Sequence, residues 1–107
     1  NEMNEKALQL FDTIINNHLD FNQPTLLSVL KAITNMKDIT KARMIYHDII
    51  VKMGIEINIQ LANSLINTFS KCGDIKMAEK IFNETKQKNL ITWTTMIGGY
   101  ADNEINE

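Results

Sequence analysis

The sequence, 107 residues long, predicts an all-α chain folded as an α-α superhelix, a solenoid of helix-turn-helix repeats. Three observations carry this expectation. An alanine precedes an aromatic by four residues at Ala7 with Phe11, Ala42 with Tyr46 and Ala78 with Phe82, at intervals of 35 and 36 residues. Apolar doublets at Val29-Leu30, Leu65-Ile66 and Met96-Ile97 form a second series, and the step from Leu30 to Ala42 equals that from Ile66 to Ala78, 12 residues. Finally, a two-helix hairpin of this size cannot bury its own apolar stripe, so recurring hairpins imply stacking.

Taken in order, a second-type helix (B) is expected first, at about residues 4–17, with Ala7, Leu10, Phe11, Ile14 and Ile15 facing inward. A first-type helix (A) follows at about 24–35 on Leu26, Val29, Leu30 and Ile33. The next B helix runs over about 39–53, from Asp38, a good N-cap, to Gly54, a natural left-handed stop. The second full hairpin places A at about 60–71 and B at about 75–86, with Gly73 ending the one and Asp74 capping the other. A last A helix fills about 91–101. Unit length changes only after helix B: the boundary residues Asn22, Asn58 and Asn89 lie 15, 16 and 11 residues beyond the B-helix alanines. Such a change is about one helical turn, which leaves the stacking faces in place.

One stretch, 61–74, sets an amide and hydroxyl stripe of Asn63, Asn67 and Ser70 beside the core stripe of Ala62, Leu65, Ile66 and Phe69. Asparagine is a mediocre helix former, so this stripe asks for a use. Composition is that of an ordered globular chain: 44% apolar, 22% charged, one proline and four glycines. The formal charge of -2 lacks the basic footprint of a tight non-specific polyanion binder. Cys72 is alone, which excludes a disulfide framework and a cysteine metal site. No apolar run of membrane-spanning length occurs, so no membrane partner is expected. The chain opens Asn-Glu-Met-Asn with no signal or transit segment, and reads as part of something longer.

The strings NSLINTFSKCGDIKMAEKIFNE (63–84) and NLITWTTMIGGYADN (89–103) resemble the pentatricopeptide repeat (PPR) family, specifically its mixed long-and-short subclass of organelle RNA-editing factors. The likeness covers essentially the whole chain. It divides it into the second helix of a preceding repeat (1–22), a long-type repeat of 36 residues (23–58), a short-type repeat of 31 (59–89) and the first helix of a following repeat (90–107). Tetratricopeptide repeats, with a constant unit of about 34 residues and a recurring proline, fit these lengths poorly.

What the resemblance implies is a concave face lined by A helices, on which each repeat reads one RNA base with its fifth and last residues. The short repeat's pair is Asn63 with Asn89, similar to the pairing that favours pyrimidines, cytosine above uracil. Thr94 is the fifth residue of the following repeat, resembling the purine-selecting choice. The long repeat offers Leu27 with Asn58, and Asn22 closes the repeat ahead. Pro24, Gln60 and Ile91 occupy the position that packs on the base face, and Lys71 lies two turns beyond Asn63, where a cation meets phosphate. Other roles stand beside these: Asn89 as a helix cap, Lys71 as an ordinary surface lysine, Trp93 and Tyr100 as packing residues. Gly98 and Gly99 serve either a close helix approach or a frayed end.

Catalysis finds no support: His18, His47 and Cys72 do not form a zinc set, and neither a deaminase signature nor a phosphate-cradling glycine loop is present. No cofactor or metal is expected. The function implied is sequence-specific binding of single-stranded RNA within a mitochondrial (alternatively plastid) editing or processing factor. The alternative is a protein-interaction scaffold, including one for an accessory editing protein. The uncovered apolar residues Leu90, Trp93, Met96 and Ile97 also predict end-to-end association.

Overall fold

The computed structural model describes residues 2–104; residue 1 and residues 105–107, included in the outermost repeats expected above, lie outside the described residues. The elements are α1 (Glu2–Asn16), α2 (Gln23–Met36), α3 (Ile39–Met44) running on into a π-helical segment (Ile45–Val51), α4 (Ile59–Lys71), α5 (Ile75–Glu84) and α6 (Leu90–Glu104). The described residues contain no strand. The expected helices are all present, within about three residues at each end. The B helix expected at 39–53 differs in kind: past Met44 its bonds widen, as in Lys52 N–H to the His47 carbonyl at 3.2 Å. The wider turn carries two apolar doublets, Ile45-Tyr46 and Ile49-Ile50, into the core.

Helix starts follow a rule. Asp38 and Asp74 cap the B-type helices α3 and α5, their carboxylates accepting from the Lys41 and Met77 amides at 3.1 Å each. Asparagine caps the A-type helices α2, α4 and α6, as detailed below. After α1, α2, the π-helical segment and α4, residues of positive φ (His18, Lys37, Gly54, Gly73) turn the chain, whereas α5 ends on extended Thr85. The following amide then reaches five residues back: Leu19 to Ile14, Asp38 to Ile33, Ile55 to Ile50 and Asp74 to Phe69, at 2.8–3.2 Å. Gly54 and Gly73 tolerate this geometry freely, whereas Lys37 stands strained at the address Gly73 holds one repeat later.

α2, α4 and α6 pack side by side as a continuous row, and α3 and α5 flank that row without packing on each other. α4 is the central member: Leu61, Leu65, Ile66 and Phe69 are fully buried. Ala42 and Ala78, also fully buried, let the B helices close on it. Tyr46 meets Phe69 edge-on at 6.1 Å, and Arg43 reaches the Asp74 cap at 3.1 Å, tying one repeat to the next.

Neighbouring A helices meet twice at one address. Between α2 and α4, the Thr34 and Thr68 hydroxyls lie 2.9 Å apart. Between α4 and α6 the equivalent contact is Ser70 against Gly99, where a methyl group on the glycine would stand 2.5 Å from Ser70 Oγ. Gly99 is thus a close approach, while Gly98 beside it faces open space. The buried Asn103 locks this contact, its amide donating to the Ser70 carbonyl (3.0 Å) and the Gly99 carbonyl (2.8 Å).

Several expectations on individual residues are corrected. In α1, Leu8 is buried (7% exposed) and Leu10 is not (68%). That helix packs on α2 alone and buries only a narrow stripe. Ser70 belongs to the α4–α6 contact rather than to a solvent-facing stripe. Met96, expected to lack a cover, is buried. Leu90 (80% exposed) and Ile97 (67%) are open as expected. Trp93 and Tyr100 are half-exposed rather than core, leaning on α5 through Phe82 (5.1 Å between rings) and Glu79 (2.6 Å from the hydroxyl).

Candidate functional site

The three boundary asparagines share one structural role. Each stands just ahead of an A-type helix and turns its side-chain oxygen back on the first turn. Asn22 Oδ1 accepts from the Thr25 amide (3.2 Å) and hydroxyl (2.9 Å). Asn58 Oδ1 accepts from the Leu61 amide (2.9 Å). Asn89 Oδ1 accepts from the Thr92 amide and hydroxyl, both at 2.9 Å, and the Asn89 amide returns a bond to that hydroxyl at 3.2 Å. Each cap satisfies helix donors that would otherwise be orphaned. All three asparagines stay exposed.

Asn63, one turn into α4 and half-buried, comes directly against Asn89: its Nδ2 donates to Asn89 Oδ1 at 3.3 Å. Residues 26 positions apart in the chain thereby form one amide pair. Its polarity is fixed. Asn89 Oδ1 holds three donors, and Asn63 Oδ1 is buried without a partner. Turning the Asn63 amide over would set two oxygens against each other, so the observed sense is favoured. What remains for a ligand is N–H: both hydrogens of Asn89 Nδ2 and the second of Asn63 Nδ2.

The other expected site residues are spread along the same row of A helices. Thr94 is exposed on α6, at the position Asn63 holds on α4. Leu27, at that position on α2, is half-buried against the core. Pro24, Gln60 and Ile91 are exposed in the first turns of α2, α4 and α6, with Gln60 accepting from Gln23 at 3.2 Å. Thus Asn63 and Asn89 are brought into contact, while the remaining residues keep repeat spacing.

The family model for the PPR repeat matches residues 61–90 and 91–104, spanning the second hairpin and α6. The chain belongs to the pentatricopeptide repeat family. Three similar relatives come from Arabidopsis thaliana. A chloroplastic pentatricopeptide repeat-containing protein is 37% identical over 97 residues, covering 91% of this chain and 11% of the relative. A mitochondrial one is 35% identical over 108 residues, covering 100% and 16%. A second mitochondrial relative is 34% identical, covering 92% and 15%. The chain therefore spans about a tenth to a sixth of these relatives' length.

An ion pair joins neighbouring A helices in this PPR chain. Lys71 is half-exposed and bound to Asp102 of α6 at 2.7 Å, so the cation expected to meet phosphate carries an intramolecular counter-ion. Cys72 sits half-buried at the second hairpin turn; burial, then the Asp38 charge, raise its thiol pKa, and Lys37 partly offsets them. Such a thiol is a poor nucleophile. A concavity of about 790 Å³ opens between the two linkers on Glu56, Asn58, Glu84 and Lys86, and touches neither Asn63 nor Asn89. Among the described residues, no group of three or more His, Cys, Asp or Glu is placed to hold a metal ion. No described helix is long and apolar enough to cross a membrane.

Sequence reasoning missed Thr92 and Asn103. Thr92 had a local signal, the Asn-x-x-Thr spacing shared by 22–25 and 89–92. Asn103 had none.

Proposed function

We propose that this chain is a segment of a sequence-specific, single-stranded RNA-binding solenoid serving organellar RNA editing or processing. Unit lengths of 36 and 31 residues support the mixed long-and-short subclass as our reading, with repeats at 23–58 and 59–89 between partial units at 1–22 and 90–107. The relatives include chloroplastic and mitochondrial proteins, and the mitochondrion is the compartment we assign, with the plastid as the alternative.

One observation carries the base-reading role: the Asn63–Asn89 pair turns its acceptors inward and leaves N–H groups outward. On its Watson–Crick edge cytosine offers two adjacent acceptors, N3 and O2. Uracil interposes an N3–H donor, which would oppose the amide hydrogens; adenine and guanine each pair one acceptor with a donor. A donor-only pair therefore favours cytosine. In the same frame Thr94 reads a purine, Asn58 and Asn22 close their repeats, Pro24, Gln60 and Ile91 pack on base faces, and Lys71 meets phosphate once Asp102 releases it. Leu27 can neither donate nor accept, so the long repeat adds little discrimination.

The scaffold reading relied on Leu27 as an apolar groove residue, and its half-burial against the core weakens that basis. The open apolar face around Leu90 and Ile97 supports association between chains at high concentration, which sedimentation would detect.

The test is titration of the chain with short oligo(C), oligo(U), oligo(A) and oligo(G) by NMR. A good base contact contributes roughly 1–3 kcal/mol and micromolar affinity needs about 8 kcal/mol, so binding is expected to be weak, with oligo(C) the strongest ligand. Asn89→Asp replaces the outward donor with an acceptor and should move the preference to oligo(U). Equal binding of all four, or low-micromolar binding regardless of sequence, would return the scaffold reading to first place.

A further inference from the structure

The three asparagine caps are not equivalent. Asn58 is held by the Leu61 backbone amide alone, since a leucine side chain has no donor. Asn89 is held by the Thr92 amide and, in addition, by the Thr92 hydroxyl, which accepts from the Asn89 backbone and donates to its side-chain oxygen. Asn22 has the same double hold from Thr25. Thr92 is fully buried (0% exposed), with its hydroxyl held against the Asn89 side chain. The α4 cap shows that one backbone bond suffices to start such a helix, so the second bond at Asn89 is surplus to capping.

We infer that Thr92 is a positioning residue for base choice at the Asn63–Asn89 pair. The inference rests on the base-reading role proposed above. Its physical content is the accounting on Asn89 Oδ1. A carbonyl oxygen has two lone pairs. With the amide and hydroxyl of Thr92 both bound, these are filled even before Asn63 adds its long bond. The oxygen has nothing left for a base, and the Asn89 side chain is pinned with Nδ2 toward solvent. Without the hydroxyl, the oxygen keeps the Thr92 amide and the long 3.3 Å bond from Asn63, which a base can displace, and the amide gains freedom to tilt. That oxygen then accepts the N3–H of uracil, while Nδ2 still serves cytosine. The hydroxyl thus acts by withholding an acceptor, and its loss should relax selectivity rather than abolish binding.

The experiment compares the chain with its Thr92→Val and Thr92→Ser variants in the same NMR titration with oligo(C) and oligo(U). Valine keeps shape and backbone amide and deletes the hydroxyl; serine restores it. The expected result is a fall in the oligo(C)-to-oligo(U) affinity ratio of about two- to tenfold in Thr92→Val, the weight of one hydrogen bond, and recovery in Thr92→Ser. Should Thr92→Val lose the helical circular dichroism of the parent, Thr92→Cys, with a much weaker donor, takes its place with the same expectation. If the parent chain prefers oligo(C) and the variant keeps that ratio, or loses affinity for both ligands equally, Thr92 is only a cap and the inference is overturned while the reading of the pair stands. If the parent shows no preference for oligo(C), both fall together.

Discussion

Gly98 and Gly99 are adjacent, chemically identical and opposite in their expected response to alanine. Either substitution removes the backbone-entropy cost of a helical glycine, a gain of about 1 kcal/mol. At Gly98 the new methyl group meets nothing within 4 Å, so the gain should be retained. At Gly99 it would sit 2.5 Å from Ser70 Oγ, 3.1 Å from Ser70 Cβ and 3.4 Å from Ile75 Cδ1. The hydroxyl can swing away without losing a bond, since it has none; Ser70 Cβ cannot. Overpacking of this kind costs roughly 1–3 kcal/mol, and pushing α6 off α4 also stretches the Asn103 bond to the Ser70 carbonyl. The variants should therefore differ by about 2 kcal/mol, Gly98→Ala above the parent and Gly99→Ala below it. Urea denaturation followed by circular dichroism measures this directly. Ser70→Ala in the Gly99→Ala background should recover part of the loss, a coupling that a double-mutant cycle isolates. A Gly99→Ala chain as stable as Gly98→Ala would refute the close approach of α4 and α6 on which the spacing of the amide pair depends.

Three further outcomes are expected. Lys37→Gly relieves a left-handed lysine (φ 53°) at the address Gly73 occupies in the next repeat, and should raise the urea midpoint by roughly 0.5–1 kcal/mol of stability. Asp102→Asn frees Lys71 from its 2.7 Å partner; affinity for every homo-oligonucleotide should rise alike, by roughly 0.5–1 kcal/mol, with a steeper salt dependence and an unchanged order of bases. The Tyr100 hydroxyl, bound to the Glu79 carboxylate, has a pKa raised above the ordinary tyrosine value of 10.0. The protonated form is favoured in the folded chain, so this contribution to stability is present below pH 10 and is lost as pH climbs through the raised value. Ultraviolet titration should show Glu79→Gln bringing that phenol back down.

Much of this architecture was legible because its signals are local. Caps declare themselves within three residues, as Asp38, Asp74 and Asn89 do. The alanine and doublet series give the repeat frame because each alanine must sit where two helices cross. What stayed hidden depends on distances between helices. Neighbouring residues on a helix point about a quarter-turn apart, so sequence alone could not say which of Gly98 and Gly99 meets α4, nor that Ser70 is the residue it meets. Leu10 lost its expected burial to Leu8 for a similar reason: α1 has apolar residues on two sides and one neighbour to cover them. Lys37 and His18 carry no mark of their positive φ, which closure of the hairpin imposes. Lys71 looked available because Asp102, 31 residues away, gives no sign in sequence of lying beside it.

The double duty of Asn89 restricts what can stand there, and the restriction yields a sharper test of the reading role. Capping requires a short side chain with an acceptor placed to reach the Thr92 amide, which admits asparagine, aspartate, serine and threonine. Of these, only asparagine carries its donor on a separate nitrogen beyond the capping oxygen. Aspartate keeps an acceptor outward, and a hydroxyl, though it retains its O–H, holds that donor on the capping oxygen itself, too short to reach a base edge. Asn89→Ser should therefore fold with a loss well under 1 kcal/mol yet bind oligo(C) more weakly, with no gain for any other base. Asn89→Ala should lose about 1 kcal/mol of stability as well. The comparison separates a cap from a reader by holding the cap fixed while the outward group changes. If Asn89→Ser bound oligo(C) as the parent does, the N–H groups facing the groove would be irrelevant to recognition, and residue 89 would be a cap and nothing more.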